Sequence, residues 1–468
     1  MNNSSKGSGL YLFGLATVAA MGGFLFGYDT AIISGTLSFV RDQFGLNAVT
    51  EGWFVSSAIV GCIVGVAGAG FLSDKFGRKP SLLLAGFLFF ISALGCTITP
   101  NHSFLITSRL IGGMGVGIAS MLSPLYISEI SPSKVRGRLV ALYQFAITLG
   151  ILFAYFANAW LVGNSNSPDL AHTGLLEKIF GSEVWRGMLG SEMIPALLFF
   201  ILILMIPESP RWLTLKGKEV KARYVLTRVN GSAKAKEEIS TIKSTIGEKS
   251  ETLKAMAKKG YLFPLILGAA LAFLTQVSGI NAIIYYGPTI LNEAGFQLSD
   301  ALGGQVIIGI TNVVFTLIAI WKIDQIGRRP LLIFGVSGIL IFLTTIGFLF
   351  FFGVDSGIIM LIFILLFIAC FSLSYGPVIW VLLSEIYPTQ YRGRAMSIAT
   401  LTLWVGTMFI GQMTPWFLEN LKPHGTFWLF ALMTLPALYI SIKLLPETKG
   451  KSLEEIEQYW ISRKKKNS

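Results

Sequence analysis

Apolar residues run through this chain in long stretches, without the alternation of half-buried strands or the polar stripe of surface helices. A helix needs about 20 mostly apolar residues to cross a bilayer core. Stretches of that kind fall at 10–36, 52–73, 81–99, 104–127, 138–161 and 187–206, then at 261–292, 303–323, 329–352, 358–385, 393–416 and 425–445. They predict an all-α polytopic membrane protein. Its twelve transmembrane helices form two pseudo-symmetric six-helix bundles, with short cytoplasmic helices between and after them. The predicted domains are an N-terminal bundle (1–206), linker helices (207–260), a C-terminal bundle (261–445), and a final helix with a basic tail (446–468). The first stretch is too long, and its flanks too poor in basic residues and cleavage signals, for a removable signal peptide.

Composition agrees. Mean hydropathy is +0.66, with 53% hydrophobic and only 13% charged residues. The three cysteines, Cys62, Cys96 and Cys370, all fall inside apolar stretches, so no disulfide framework is expected. The formal charge of +12 changes meaning once it is placed along the chain. Between the first and second, fifth and sixth, and eleventh and twelfth stretches lie only Arg41, Lys178, Arg186 and Lys422. The alternate loops carry Lys75, Arg78, Lys79, Lys134, Arg136, Arg138, Arg328, Arg329, Arg392 and Arg394, besides the basic linker and tail. By the positive-inside rule, both termini and the linker are expected in the cytoplasm, with the chain in a bacterial inner membrane. The charge is thus a topology signal. No nucleic-acid partner is expected, and the "RKKK" tail suits water or anionic lipid.

The two halves repeat each other. "GFLSDKFGRKP" (70–80) returns as "AIWKIDQIGRRP" (319–330), "YISEISPSKVRGR" (126–138) as "LLSEIYPTQYRGR" (382–394), and "PESPRWL" (207–213) as "PETKGKSLEE" (446–455). Duplicated halves suit a transporter with its site near the midplane. The repeated acids and bases are Asp74, Arg78, Glu129 and Arg136 in one half, and Asp324, Arg328, Glu385 and Arg392 in the other. Glu129 and Arg136, like Glu385 and Arg392, stand seven residues apart across a short loop, and such sets can latch helix ends and break when that face opens. The plainer reading is helix capping and positive-inside charge.

On "GRKP", "ESPRWL", "GRRP", "LLSEIYP" and "PETKGKSLEE", the chain resembles the sugar-porter branch of the major facilitator superfamily, over about 8–458. The resemblance implies twelve helices in two bundles, matching the count made from the pattern.

Few ionisable groups lie at membrane depth. Asp29 in "GGFLFGYDTAIISG" has no other acid or base between Leu10 and Val40. Arg109 lies at a matching depth in the fourth stretch, and Glu192 lies in the sixth. An unpaired charge at the bilayer centre costs about 2.5–3.5 kcal/mol on insertion scales. Asp29 and Arg109 are therefore expected to pair, either as a structural lock or as a switch that protonation of Asp29 opens. The resemblance favours the switch. In the family, Asp and Arg at these positions mark proton symporters, and Glu192 matches a further acid of the same network. His102, His172 and His424 fall in loops or at span edges, away from any central proton relay.

Polar side chains on apolar stretches form the second set: Gln144, Gln276, Asn281 and Asn312. Amides both donate and accept, which suits a neutral polyhydroxylated ligand. Gln276 and Asn281 stand about 140° apart on a regular helix, so a break at Gly279 is expected to let both face one cavity. Trp380 and Trp404 offer flat faces to a sugar ring, and Phe26 is placed to line the same space. Tyr285 and Tyr286, before a bend expected at Gly287-Pro288, make a candidate outer gate. The bland alternative is that amides join helices and tryptophans fill space. The resemblance implies that Gln144, Gln276, Asn281, Asn312 and Trp380 bind sugar. Three positions where the family commonly carries amides hold Thr275, Ile151 and Leu403 here, so the choice among pentose, hexose, deoxy-sugar and other polyol stays open.

"GGMGVG" (112–117) sits inside an apolar stretch and reads as close helix packing, not as a nucleotide loop. No Walker A sequence and no Cys/His cluster occurs, so neither ATP-driven pumping, nor a metal, nor a cofactor is expected. The expected function is proton-coupled import of a monosaccharide by a monomeric chain that is not an enzyme. The alternatives are an uncoupled sugar facilitator, a transporter of another small polar solute, and a non-transporting sugar sensor.

Overall fold

The computed structural model describes residues 8–165, 177–244, 261–354, 356–388, 392–451 and 453–467, with no strand among them. Among the described residues, twelve helical segments are long and apolar enough to cross a membrane: Gly9–Phe44, Ala48–Phe76, Arg78–Ile98, His102–Ile130, Val135–Asn164, Val184–Met205, Leu262–Glu293, Leu298–Ile326, Arg328–Phe351, Gly357–Ile386, Gly393–Asn420 and Lys422–Leu444. They are called here the first to twelfth spans. All match the predicted stretches but most run further, the first continuing from the predicted residue 36 to Phe44. Backbone hydrogen bonding does not stop where hydrocarbon does, so a helix outlasts its apolar run until a turn residue ends it.

Three spans are interrupted, and proline or glycine is at each break. In the sixth, helix Val184–Ser191 gives way at Glu192 to helix Met193–Met205. The expected stretch 187–206 was continuous; Pro195 lacks an N–H, and its ring crowds the Ser191 carbonyl four residues back. In the seventh, Gly279 takes φ +88° between Leu262–Val277 and Ile280–Glu293, and Tyr286 leaves helical geometry (φ −112°, ψ 16°) just before Gly287-Pro288. Both irregularities fall where the sequence placed them. In the tenth, expected as one run over 358–385, Ser374 (φ −119°, ψ −82°) separates Gly357–Leu373 from Tyr375–Ile386, with Pro377 four residues after Leu373.

The chain divides into two compact units, one of residues 1–32, 57–157 and 165–249, the other of 33–56, 158–164 and 250–468. In the first, the fourth span packs closely on its neighbours through "GGMGVG". A Cβ on Gly113 or Gly117 would collide with the carbonyl of Ala58 or Cys62. The linker forms helices Pro210–Leu215, Glu219–Asn230 and Ser232–Ser244, the first two joined over Trp212, Leu213, Ala222 and Val225 and the last two over Leu226, Ala235 and Ile239. Its remainder, 245–260, lies outside the described residues. In the second unit, helix Leu453–Asn467 docks by Trp460 Nε1 donating to the Ile386 carbonyl at 3.1 Å and Arg463 Nη1 to that of Leu444 at 2.9 Å.

Candidate functional site

The first unit holds the deep charges. Arg109 Nη1 donates to Asp29 Oδ1 at 2.6 Å, and the two residues are 3% and 4% exposed. The fourth span brings the guanidinium there beside Ser108, whose carbonyl accepts from Ser92 Oγ at 2.7 Å. Glu192, 3% exposed, stands at the break of the sixth span, and its carboxyl faces both Asp29 and Arg109. Its Oε1 and the Arg109 Nε take no hydrogen bond among the described residues. Cys62 and Cys96 flank the set. Asp29 is paired with the guanidinium, and the second carboxyl, Glu192, lies near that pair in a place closed to solvent. A single proton on the acid pair brings that set to neutrality.

Two residues that the sequence did not single out adjoin this trio. Tyr28 OH lies 2.7 Å from Ser191 Oγ, and Ser191 Oγ donates to the Met188 carbonyl at 2.5 Å. Their signal was adjacency alone: each immediately precedes one of the two acids.

The amide set divides between the units. Phe26 and Gln144 belong to the first and are half-buried. In the second, the break at Gly279 brings Asn281 Nδ2 to Gln276 Oε1 at 2.7 Å. Thr407 Oγ1 also donates to that oxygen, at 3.0 Å, and to the Leu403 carbonyl at 3.0 Å. Asn312 Oδ1 accepts from Ser372 Oγ at 2.8 Å, so this amide also ties the eighth span to the tenth. Trp404 is buried and Trp380 half-buried. Thr275, Ile151 and Leu403 are all buried, and the Thr275 hydroxyl is spent on the Leu271 carbonyl at 2.8 Å. Tyr285 and Tyr286 are buried side by side, with Tyr286 OH donating to the Gly411 carbonyl at 2.6 Å. Sequence reading missed Thr407 and Ser372, because a hydroxyl on a helix usually bonds its own backbone.

The repeated motifs build the same constellation twice, one in each unit. Arg78 makes a forked pair with Glu129 (Nε–Oε2 2.9 Å, Nη2–Oε1 2.8 Å), and Arg328 makes one with Glu385 (3.1 and 3.0 Å). Asp74 and Asp324 flank these guanidiniums at 3.6 and 2.9 Å. Glu208 Oε1 accepts from the Arg78 backbone N–H at 3.0 Å, as Glu447 Oε1 does from that of Arg328 at 3.1 Å, capping the third and ninth spans. Burial pushes the Glu208 carboxyl above its ordinary range, against the N–H donors of Ser209, Arg78 and Lys79. Gly77 and Gly327 both adopt φ +108°, with the capping carboxylate where a Cβ would stand. The expected partnership of Glu129 with Arg136 is corrected: Arg136 donates to the Ser131 carbonyl (3.2 and 3.3 Å), because the fourth span ends facing Arg78. The Arg392 side chain lies outside the described residues. Among the described residues, no cluster of three or more His, Cys, Asp or Glu is placed to hold a metal ion.

The family model described as Sugar (and other) transporter matches residues 15–460. The arabinose–proton symporter of Bacillus subtilis (strain 168) is 41% identical over 448 residues, covering 96% of this chain and 94% of its own length. The galactose–proton symporter of Escherichia coli (strain K12) is 37% identical over 453 residues, covering 95% and 94%. A solved structure of the xylose transporter from E. coli, in a partially occluded inward-open conformation, superposes with a TM-score of 0.83 at 35% identity. It covers 95% of this chain and 100% of that one.

Proposed function

The chain belongs to the Sugar (and other) transporter family, and from that premise we propose that it imports a monosaccharide, a pentose or a hexose, together with a proton by alternating access. The observation that carries the proton is the buried Asp29–Arg109 pair with Glu192 against it. A facilitator needs no buried acid beside its lone deep base. Two acids beside one base, with one proton to gain or lose, give each protonation state its own pairing, and so its own conformational preference. Protonation of Asp29 releases Arg109; deprotonation re-forms the pair and resets the carrier.

Sugar is held by Gln144, Gln276, Asn281, Asn312 and Trp380, with Phe26 and Trp404 lining the site. Gln276, already accepting from Asn281 and Thr407, has its amide nitrogen left for a sugar hydroxyl. Relatives that carry arabinose and galactose support a monosaccharide of either size. Tyr285 and Tyr286 act as the outer gate. The Asp74–Arg78–Glu129 and Asp324–Arg328–Glu385 sets latch the opposite face. Both termini lie in the cytoplasm, and a single chain is the working unit.

The test is uptake of a panel of radiolabelled pentoses and hexoses into proteoliposomes, with and without an imposed inward proton gradient. At least one sugar is expected to accumulate above equilibrium only with the gradient. Uptake that merely equilibrates in both conditions would leave a facilitator instead.

A further inference from the structure

We infer that Tyr28 and Ser191 form a positioning clip that holds the two acids of the proton site against each other. The inference rests on the symport reading above. The clip joins the first span to the last turn before the break in the sixth. Its four residues are two adjacent pairs, Tyr28-Asp29 and Ser191-Glu192, so whatever fixes one member of each pair fixes the approach of the other.

The direction of the hydrogen bonds follows from proton count. Ser191 has one hydroxyl proton, and it goes to the Met188 carbonyl at 2.5 Å. The 2.7 Å contact with Tyr28 is therefore donated by the phenol, with the serine oxygen accepting. That arrangement consumes the serine hydroxyl as donor within its own helix and leaves Tyr28 as the link between spans. Tyr28 is 6% exposed, and its ring stacks on Phe24, centroids 5.9 Å apart, which restricts where the phenol oxygen can go.

The break is what makes a clip necessary. Pro195 deprives the Ser191 carbonyl of its helical donor, and the first N–H to resume the pattern is Ala196 on the Glu192 carbonyl, at 3.0 Å. The missing hydrogen bond weakens the helix at Glu192, which keeps helical angles (φ −63°, ψ −21°). Tyr28, bonded to the last residue before the break, sets its angle. The groups facing the acids from the surrounding spans are Arg109 on the fourth, Cys62 on the second and Cys96 on the third. Arg109 is the sole cation among them and is paired with Asp29, so the distance between the two carboxyl groups decides how strongly Glu192 opposes the charge on Asp29. Loosening the clip separates the two carboxyl groups and leaves the Asp29 carboxylate beside Arg109 without its anionic neighbour.

The test is the pH dependence of proton-driven sugar uptake in proteoliposomes for the full-length chain and for Tyr28→Phe, Ser191→Ala and Ser191→Thr. The Phe and Ala variants are expected to move the midpoint toward lower pH by about one unit, the scale of one lost hydrogen bond. Sugar counterflow at fixed pH should stay within about threefold of wild type, since the binding amides are untouched. Ser191→Thr, which keeps the hydroxyl, should keep the wild-type midpoint. If the wild type accumulates sugar and Phe, Ala and Thr variants all share its midpoint, the clip has no positioning role. If the wild type ignores the gradient, the symport reading falls and the clip's role falls with it. A variant that moves the midpoint but loses counterflow in proportion would mark a structural contact only, against the inference.

Discussion

Arg109 and Asp29 meet at 2.6 Å across the first and fourth spans, and neither has appreciable contact with solvent. Removing one partner of such a pair strands the other. Arg109→Leu is expected to destabilise the protein by about 3–5 kcal/mol, whereas the double variant Asp29→Asn/Arg109→Leu recovers much of the loss. Thermal unfolding of the purified protein in detergent measures both. An R109L protein as stable as wild type would show that the pair is not closed from solvent.

Function separates from stability at the same site. Asp29→Asn keeps a polar side chain of the same shape but removes the titratable proton. It is expected to abolish accumulation against a gradient while retaining counterflow of sugar. Proton-driven accumulation unimpaired in this variant would remove Asp29 from the coupling step.

The seventh span depends on one backbone angle. Gly279 holds φ +88°, and a Cβ there would come within 2.6 Å of Phe430 Cδ2. Gly279→Ala is expected to cost at least about 1 kcal/mol and to weaken sugar binding, because Gln276 and Asn281 meet only across that break. Gly303→Ala, where nothing lies within 4 Å, is the control and should stay within about 0.5 kcal/mol of wild type. Equal effects at the two positions would sink the argument.

The duplicated forks differ in burial. The Glu129 side chain is 4% exposed and that of Glu385 24%. Lysine offers no fork, so Arg78→Lys is expected to cost about 2 kcal/mol and Arg328→Lys under about 1 kcal/mol. The order, read from denaturation midpoints, is the discriminating result; the reverse order contradicts it.

The burial of the first fork also shows how far local reading reached. Sequence spacing sets Glu129 beside Arg136, seven positions along, whereas its partner is Arg78, fifty-one away. The helical breaks divide in the same manner. The break at Gly279 and the bend at Gly287-Pro288 are legible locally, because each centres on a glycine, alone or before a proline. The breaks at Glu192 and Ser374 rest on Pro195 and Pro377, and Pro124 lies inside an unbroken fourth span. Proline therefore permits a break without dictating one.

What the sequence determined alone is whatever depends on composition summed along one segment: the twelve spans, their repeat, and the presence of one acid and one base too costly to bury apart. The tertiary structure decided which side chains meet. Asp29 faces Glu192 as well as Arg109, Tyr28 reaches Ser191 across 163 residues, and Gln276 is shared by Asn281 and Thr407. Those contacts join different helices, and their geometry follows from how the helices pack, where a shift of one turn would replace every partner.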